Sequence, residues 1–254
     1  MILNYKKPFS SNQFSFNSYQ NNSVTIDKEM ILEAINYTHS VLDKFTQFEV
    51  DVFEILGMRN LSSFIGEVFA ASLIKFSKEL FKKNPHQDGY PDLLLMDLEG
   101  IKLWKDLETR TREKQPFSPF LNGGIEIKAT CGDVPSPEEC ERLNISKPII
   151  GDQRIDMITG YQWKAHHRNT NNLMGILWDF INGTPRIIAV FFGNNLNIDD
   201  WGKISQPKEN GGNTTSLSVM KKAGVKKMYD GCIYVLEDSR YINFINRYNR
   251  AYLL

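Results

Sequence analysis

Residues 123–130 have the sequence GGIEIKAT, which combines a strand pattern with an acidic and a basic residue two positions apart. Two glycines introduce a run of apolar and β-branched residues, which predicts a strand over Ile125–Ala129. Side chains two positions apart on a strand point to the same face of a sheet. We therefore expect Glu126 and Lys128 to lie side by side, with Ile127 turned into the core.

A second short motif lies upstream, where Pro91 and Asp92 precede the apolar residues 93–96 and predict another strand. Pro91-Asp92 is the only Pro-Asp dipeptide in the chain, and Glu126 is the only acidic residue with a lysine two places later. Asp92 and Glu126 are 34 positions apart. If their strands are neighbours, residues 105–122 must form an inserted loop between them, for which DNA contact is one role.

Helical spacing of apolar residues predicts two long helices before these strands, over 26–45 and 61–83. Asn60 is the expected N-cap of the second helix, and Lys82 and Lys83 suit the negative end of its dipole. Glu67 lies on this helix between the small residues Gly66 and Ala70, which would permit a close approach to the sheet.

The remaining pattern predicts a mixed α/β domain with a central sheet flanked by helices. We expect an irregular arm over residues 1–23 and a strand over Ile101–Trp104 that pairs with residues 93–96 through a turn at Glu99 and Gly100. Further predicted elements are a short helix over 136–143, a hairpin of 173–181 and 186–192, a strand over 233–236 and a helix over 240–252.

Composition is that of an ordinary globular protein, because 41% of the 254 residues are hydrophobic and 24% are charged. One domain over 1–254 is expected. The three cysteines lack metal-type spacing, which argues against structural zinc, and their odd number argues against a disulfide framework. The first 22 residues contain no apolar run of the kind that a signal peptide needs. We therefore expect a cytoplasmic protein. The net charge of zero does not by itself propose a nucleic-acid partner.

The two motifs suit the hydrolysis of a phosphodiester bond. This reaction needs a divalent cation at the phosphate, a nucleophilic hydroxide, and stabilisation of developing negative charge. Carboxylates of Asp92 and Glu126 on adjacent strands would bind Mg²⁺ through oxygen atoms. Lys128 would contact the phosphate and either orient or deprotonate the attacking water. The alternative for these residues is a solvated strand edge with a weak ion pair between Glu126 and Lys128.

Asp92, Glu126 and Lys128 resemble the PD-(D/E)XK motif, which many type II restriction endonucleases share. The resemblance covers roughly residues 60–130 and implies a restriction-endonuclease-like core over about 60–195, with 196–254 as a DNA-contacting elaboration. It implies Mg²⁺-dependent, sequence-specific cleavage of double-stranded DNA to 5′-phosphate ends, and a cognate DNA methyltransferase as genetic partner. Glu67 corresponds to an additional glutamate near the metal, although a boundary residue with a salt-bridge partner is an equal alternative. The dyad symmetry of duplex sites favours a homodimer.

Two further segments are candidates for DNA contact. Residues 161–168 concentrate aromatic, amide and basic groups. Residues 211–228 combine a flexible Gly-Gly entry, hydroxyl side chains and four lysines, within a wider stretch, 202–228, of six lysines and one glutamate. In both segments a solvated helix is an equally good explanation, with Trp163 buried in the first. His86-Gln87-Asp88 precedes Asp92 and is expected at the cleft mouth, where DNA contact is one role. The tentative DNA-binding residues are Gln162, Lys164, His166, Arg168, Thr214, Thr215, Lys221 and Lys222.

Two other functions fit the same residues. One is a DNA repair or junction-resolving nuclease of the same fold, although no Walker-type glycine motif links the chain to a repair motor. The other is a non-catalytic DNA-binding protein in which the motif is coincidental. Cleavage of plasmid DNA with Mg²⁺ distinguishes the three.

Overall fold

The computed structural model describes residues 3–8, 13–18, 22–159, 163–166, 168–194, 196–206 and 216–247. They form an α/β structure around a central sheet of seven strands in the order β1-β11-β9-β8-β6-β5-β4. Its strands are β1 (Tyr5–Lys6), β4 (Phe81–Lys83), β5 (Leu93–Leu95), β6 (Gly124–Thr130), β8 (Leu173–Ile181), β9 (Thr184–Gly193) and β11 (Cys232–Leu236). The sheet is mixed, because β6 and β8 are parallel whereas the other neighbours are antiparallel.

Two small antiparallel pairs lie outside this sheet. The first joins β2 (Gln13–Asn17) to β3 (Ser23–Asp27), and the second joins β7 (Lys164–Ala165) to β10 (Ser218–Val219). The helices are α1 (Lys28–Phe45), α2 (Val52–Phe76), α3 (Leu98–Leu107), α4 (Pro137–Leu143), α5 (Lys222–Asp230) and α6 (Ser239–Asn246), with 3₁₀ turns at Glu108–Arg110 and Ile198–Asp200. No helix in these ranges has both the length and the apolarity needed to cross a membrane.

Helices cover both faces of the sheet, because successive strand residues point to opposite sides. One core packs α1 and α2 onto the sheet and contains Ile127 and Ile176. A second core packs α5 and α6 onto the other face and contains Leu177 and Phe191. The resulting three-layer arrangement confirms the predicted α/β class with a central mixed sheet. The central sheet extends beyond residues 60–195, the range predicted for the catalytic core, because it also includes β1 and β11.

Several predicted elements are confirmed. The structure contains the helix predicted over 26–45, the strands predicted over 93–96, 125–129 and 233–236, and the predicted hairpin, which is the pair β8–β9. Its tight turn uses Asn182 and Gly183, both with positive φ. Ser136 caps α4 by accepting a hydrogen bond from the Glu139 amide. The terminal helix is confirmed as α6, and the residues predicted to extend it beyond 247 lie outside the described residues.

The second predicted helix differs at both ends. α2 begins at Val52, and its N-cap is Asp51 rather than Asn60, because the Asp51 carboxylate accepts from two amides of the first turn. Gly57 interrupts the helix with a φ of 67°.

The helix also ends earlier than predicted, at Phe76, where Lys78 and Glu79 adopt left-handed φ values of 50° and 70°. Lys82 and Lys83 therefore lie on the edge strand β4, not in a last helical turn. Lysines on an edge strand discourage pairing with another chain.

The predicted strand at Ile101–Trp104 is wrong, because these residues lie in α3. Asp97 caps this helix through the Gly100 amide, a signal that was interpreted as a turn. Gly100 is required by close approach: a Cβ there would lie 1.9 Å from the Leu95 carbonyl oxygen. The arm over 1–23 is also not wholly irregular, since it contributes β1 and β2.

Candidate active site

The site lies where β5 and β6 separate. These strands pair only at Leu93 with Ile125 and Leu94 with Gly124. One residue further, the Asp92 carboxylate enters the gap and accepts a hydrogen bond from the Ile127 amide at 2.8 Å. In return, the Asp92 amide faces the Glu126 carboxylate at 3.3 Å. Asp92 and Glu126 therefore lie on adjacent strands despite the 34 positions between them.

Lys128 completes this group. Its Nζ atom lies 2.6 Å from Glu126 Oε1 and 3.9 Å from Asp92 Oδ2. Glu126 is buried, whereas the Asp92 and Lys128 side chains keep about a quarter of their surface exposed, 28% and 27%. Ile127 is buried in the core beneath α2, as the alternation along the strand predicts. We call Asp92, Glu126 and Lys128 the notch residues.

The charges of the notch residues perturb one another. Burial and the negative charge of Glu126 raise the pKa of Asp92 to about 7, although Lys128 and the Ile127 amide oppose this. Burial would lower the pKa of Lys128, but the charges of Glu126 and Asp92 outweigh it, so the pKa is raised. Lys128 is therefore a cation here, which favours its role as a hydrogen-bond donor over that of a base. Asp92 and Glu126 are thus neighbouring carboxylates, and each makes ionisation of the other less favourable. A bound cation would stabilise the ionised form of both.

The notch residues open into a cleft of about 520 Å³. α2 forms one wall, and it packs on β6 at an ordinary distance: a Cβ at Gly66 would lie 3.6 Å from Ala129 Cβ, which is a normal van der Waals contact and does not require glycine. Glu67 lines the cleft, but its carboxylate is paired with Lys83 Nζ at 2.5 Å. The negative charge of Glu67 also contributes to the raised pKa of Asp92. Glu67 thus has the salt-bridge partner of one alternative, and it lines the cleft, while its role near a metal stays a prediction.

The segment between the two motif strands is not simply an inserted loop. Residues 98–110 are helical, and the loop after them buries Phe117 and Phe120 against Leu94 of β5. This small core, which also contains Met96 and Leu107, supports the Asp92 strand from the side away from α2. The segment therefore has a structural role in holding β5.

The tentative DNA-binding residues have different positions. His166 lines the cleft, and Lys164 is exposed on β7. Arg168 lies in a separate groove of about 360 Å³ and donates to the Ile198 carbonyl. Lys221 and Lys222 are exposed at the start of α5, and neither lines the cleft. Gln162, Thr214 and Thr215 lie outside the described residues.

Several residues of the cleft lining were not among the predicted site residues, and two of them are cations. Arg59 and Lys83 line the cleft together with His86, for which a place at the cleft mouth was expected. Lys83 was assigned to a helix end, so its strand position beside Asp92 was not recognised. His86 is five residues before Pro91, and that proximity was the available signal.

The donor set fits Mg²⁺ better than a metal bound by protein atoms alone. Among the described residues, no group of three or more His, Cys, Asp and Glu side chains is placed to hold a metal ion. The notch offers two carboxylates, and Mg²⁺ is usually held by one or two carboxylates with water and substrate phosphate as its other ligands.

Comparisons with protein-family models, curated proteins and solved structures found no significant match to this chain.

Proposed function

We propose that this chain is a Mg²⁺-dependent endonuclease of the PD-(D/E)XK type that cleaves double-stranded DNA at specific sites, as type II restriction endonucleases do. The observation that carries the proposal is the meeting of Asp92, Glu126 and Lys128 on adjacent strands. Two carboxylates that each lie within 4.0 Å of the Nζ atom of one protonated lysine, open to a cleft, are the kinds of group that phosphodiester hydrolysis requires.

Asp92 and Glu126 would hold Mg²⁺, which supplies charge neutralisation at the phosphate and lowers the pKa of a bound water. Lys128 is placed to donate to a phosphate oxygen or to the attacking water, because its Nζ lies beside both carboxylates. It would exchange the Glu126 contact for the substrate when DNA is bound. The Ile127 amide holds the Asp92 carboxylate in a fixed position, so little reorganisation is needed at the moment of reaction.

The charge of the cleft also supports a cation-dependent reaction. Its lining contains four carboxylates against three permanent cations, namely Glu67, Asp88, Asp92 and Glu126 against Arg59, Lys83 and Lys128. Asp88 is paired with Lys114 outside the lining and the pKa of Asp92 is raised to about 7, so the cleft carries little net charge and offers a polyanion such as DNA no excess of positive charge. One divalent cation would make the cleft positive, so that metal binding and DNA binding favour each other.

The surrounding fold is compatible with a restriction-endonuclease-like core. A helix that carries Glu67, α2, precedes the antiparallel strands β4, β5 and β6, and the parallel strand β8 follows. In this proposal the described part of residues 196–254, together with Lys164, His166 and Arg168, contributes to DNA contact. A homodimer acting on a palindromic site, and a cognate DNA methyltransferase as genetic partner, belong to the same proposal.

The test is incubation of the purified protein with supercoiled plasmid DNA, and separately with branched DNA, in the presence of Mg²⁺ or EDTA. We expect discrete fragments with 5′-phosphate ends in Mg²⁺ and none in EDTA. Preference for branched DNA would instead identify the repair or junction-resolving nuclease. Binding without cleavage in Mg²⁺ and Mn²⁺ would contradict the proposal and leave the non-catalytic DNA-binding protein.

A further inference from the structure

Asn84 is a buried polar residue at the end of β4, with 4% of its surface exposed. Both hydrogens of its side-chain amide are used: Nδ2 donates to the carbonyl oxygens of Pro91 and Phe117, each at 2.9 Å. Its Oδ1 accepts from the His86 amide at 3.0 Å. Its own backbone amide donates to the Asp92 carbonyl at 2.9 Å. One side chain thus ties together the segment before Asp92 and the loop that contains Phe117.

These bonds fix the backbone on both sides of the Asp92 Cα atom. The Pro91 carbonyl, held by the Asn84 side chain, belongs to the peptide unit that enters Asp92. The Asp92 carbonyl, held by the Asn84 backbone, belongs to the peptide unit that leaves it. Because the Asp92 carboxylate sits in a gap between strands and not in a regular ladder, its direction depends on these two peptide units.

Gly89 leaves the space that the Asn84 side chain occupies. A Cβ at Gly89 would lie 2.6 Å from Asn84 Oδ1 and 2.7 Å from Nδ2. The backbone of Gly89 does not have the positive φ that would itself require glycine. Its small size is therefore needed for the amide of Asn84, and Gly89→Ala disturbs that amide without removing it.

The neighbouring buried residue Asn122 offers a matched comparison. Asn122 is also fully buried, and its Nδ2 donates to the Leu95 carbonyl and to Asp97 Oδ1. It holds the opposite end of the same strand, β5, next to the cap of α3. Asn84 and Asn122 are thus both buried asparagines whose Nδ2 donates two hydrogen bonds, but the Asn84 side chain bonds to Pro91, next to Asp92, whereas Asn122 bonds to Leu95 and Asp97.

We propose that Asn84 is the positioning residue that sets the direction of the Asp92 carboxylate, and that its bond to the Phe117 carbonyl couples the segment 98–123 to the active site, alongside the bond from the Phe120 amide to the Tyr90 carbonyl. The consequence for metal binding rests on the proposed function, whereas the effect on the Asp92–Ile127 bond does not. A polar residue that orients a metal ligand typically changes metal affinity by about 10- to 100-fold when it is removed.

The experiment compares Asn84→Ala, Gly89→Ala and the control Asn122→Ala with the wild type, each as the full chain. Hydrogen exchange at the Ile127 amide reports directly on its bond to Asp92. It is followed by NMR with ¹⁵N-isoleucine labelling, and Ile127→Val assigns the signal. Calorimetric titration with Mg²⁺ reports on the carboxylates without requiring activity. Thermal melts give the folded fraction of each variant.

In Asn84→Ala and Gly89→Ala we expect faster hydrogen exchange at the Ile127 amide than in the wild type, and Mg²⁺ affinity about 10-fold weaker. In Asn122→Ala the melting temperature should fall while both other readouts stay at the wild-type value. An Ile127 amide that is unchanged in both of the first two variants would overturn the positioning role, whatever the metal result. A wild type that binds no Mg²⁺ and cleaves no DNA would overturn the proposed function, and the Ile127 measurement would still decide the role of Asn84.

Discussion

Asp92 and Asp179 are two aspartates whose pKa burial raises, but their surroundings differ. The Asp179 carboxylate accepts four hydrogen bonds, from the amides of Arg154, Ile155 and Phe180 and from the Tyr241 hydroxyl. Asp92 accepts one close hydrogen bond and faces another carboxylate and a lysine. Asp179 is fully buried, whereas Asp92 opens to a cleft.

This difference distinguishes a carboxylate that stabilises the fold, Asp179, from one that is available to bind a ligand, Asp92. Every oxygen of Asp179 is satisfied by groups of its own chain, so this carboxylate joins segments of the fold. Asp92 retains unused acceptor capacity next to a second negative charge, which costs stability in the absence of a cation. An aspartate with unmet electrostatic capacity in a cleft is a candidate for binding and chemistry. The predictions below test this distinction, beginning with the largest effect.

Lys128→Ala should reduce the DNA cleavage rate by about 1000-fold, because it removes the only cation of the notch residues and the donor to the phosphate. DNA affinity, measured in Ca²⁺ to prevent cleavage, should stay close to the wild-type value. The matched control is Lys226→Ala, since Lys226 is an exposed lysine paired with Asp230. Cleavage by Lys128→Ala at the control rate would remove Lys128 from the site.

Asp179→Asn should lower the free energy of unfolding by about 3 kcal/mol, because at least one of the amides that now donate to it would face a donor instead of an acceptor. Asp92→Asn should change it by less than about 1 kcal/mol, because the lost carboxylate also relieves repulsion with Glu126. Urea denaturation in EDTA measures both. Equal losses in the two variants would contradict the distinction between them.

The effects of the two variants on Mg²⁺ binding should be in the opposite order to their effects on stability, with the larger effect in Asp92→Asn. Asp92→Asn should lose the stabilisation that Mg²⁺ gives to the wild type, because one of two carboxylate ligands is gone. Asp179→Asn should keep the full Mg²⁺-induced shift in melting temperature, starting from a lower value. If Mg²⁺ stabilises Asp92→Asn as much as the wild type, the ligand role of Asp92 is wrong.

How far the sequence predicts these two sites depends on where the partners lie along the chain. Glu126 and Lys128 could be placed together because strand geometry alone determines their spacing. The adjacency of Asp92 and Glu126 could be proposed only through the resemblance, since residues 98–123 separate them. The Asp179 site was not predicted at all, because three of its four donors come from residues 24 to 62 positions away.

The incorrect predictions of secondary structure have the same origin, namely contacts between residues that are not neighbours in sequence. Gly100 was interpreted as a turn, but it is small because the Leu95 carbonyl lies against it, and that contact is tertiary. Strand β1 was assigned to an irregular arm because its partner, Tyr5 opposite Leu236, is at the other end of the chain. The hairpin β8–β9 was predicted correctly because its Asn-Gly turn and both apolar strands are contiguous in sequence.

His39 provides a second buried titratable group of the structural kind. Its Nε2 atom accepts from the Ile187 amide at 2.9 Å, and burial, reinforced by the charge of Arg186, lowers its pKa to about 3. Because the folded-state pKa is below the unfolded value of about 6.5, its contribution to stability is present above pH 6.5 and is lost as the pH falls. From pH 7.5 to 5 the expected loss is about 2 kcal/mol.

Urea denaturation of the wild type and His39→Gln over this pH range measures that loss. Glutamine retains an acceptor for the Ile187 amide but does not titrate, so the variant should lack this part of the pH dependence. An identical slope in both proteins would show that His39 does not stay neutral on folding.

The smallest expected effect concerns the lysines of α5. Lys226 and Lys227 are paired with Asp230 and Asp200, whereas Lys221 and Lys222 are exposed and take part in no ion pair among the described residues. Lys221→Ala with Lys222→Ala should weaken DNA binding several-fold and reduce the slope of log affinity against log salt by about 2. Lys226→Ala should leave the slope unchanged. A slope that is unaltered in the double variant would exclude both lysines from DNA contact.

The most direct test of the account is the single-turnover cleavage rate of Asp92→Asn and Asp179→Asn, measured with Mg²⁺ on the same DNA and corrected for the folded fraction. The account predicts that Asp92→Asn loses about 1000-fold in rate while Asp179→Asn cleaves at the wild-type rate per folded molecule. Wild-type cleavage by Asp92→Asn would contradict the assignment of the active site to the gap between β5 and β6.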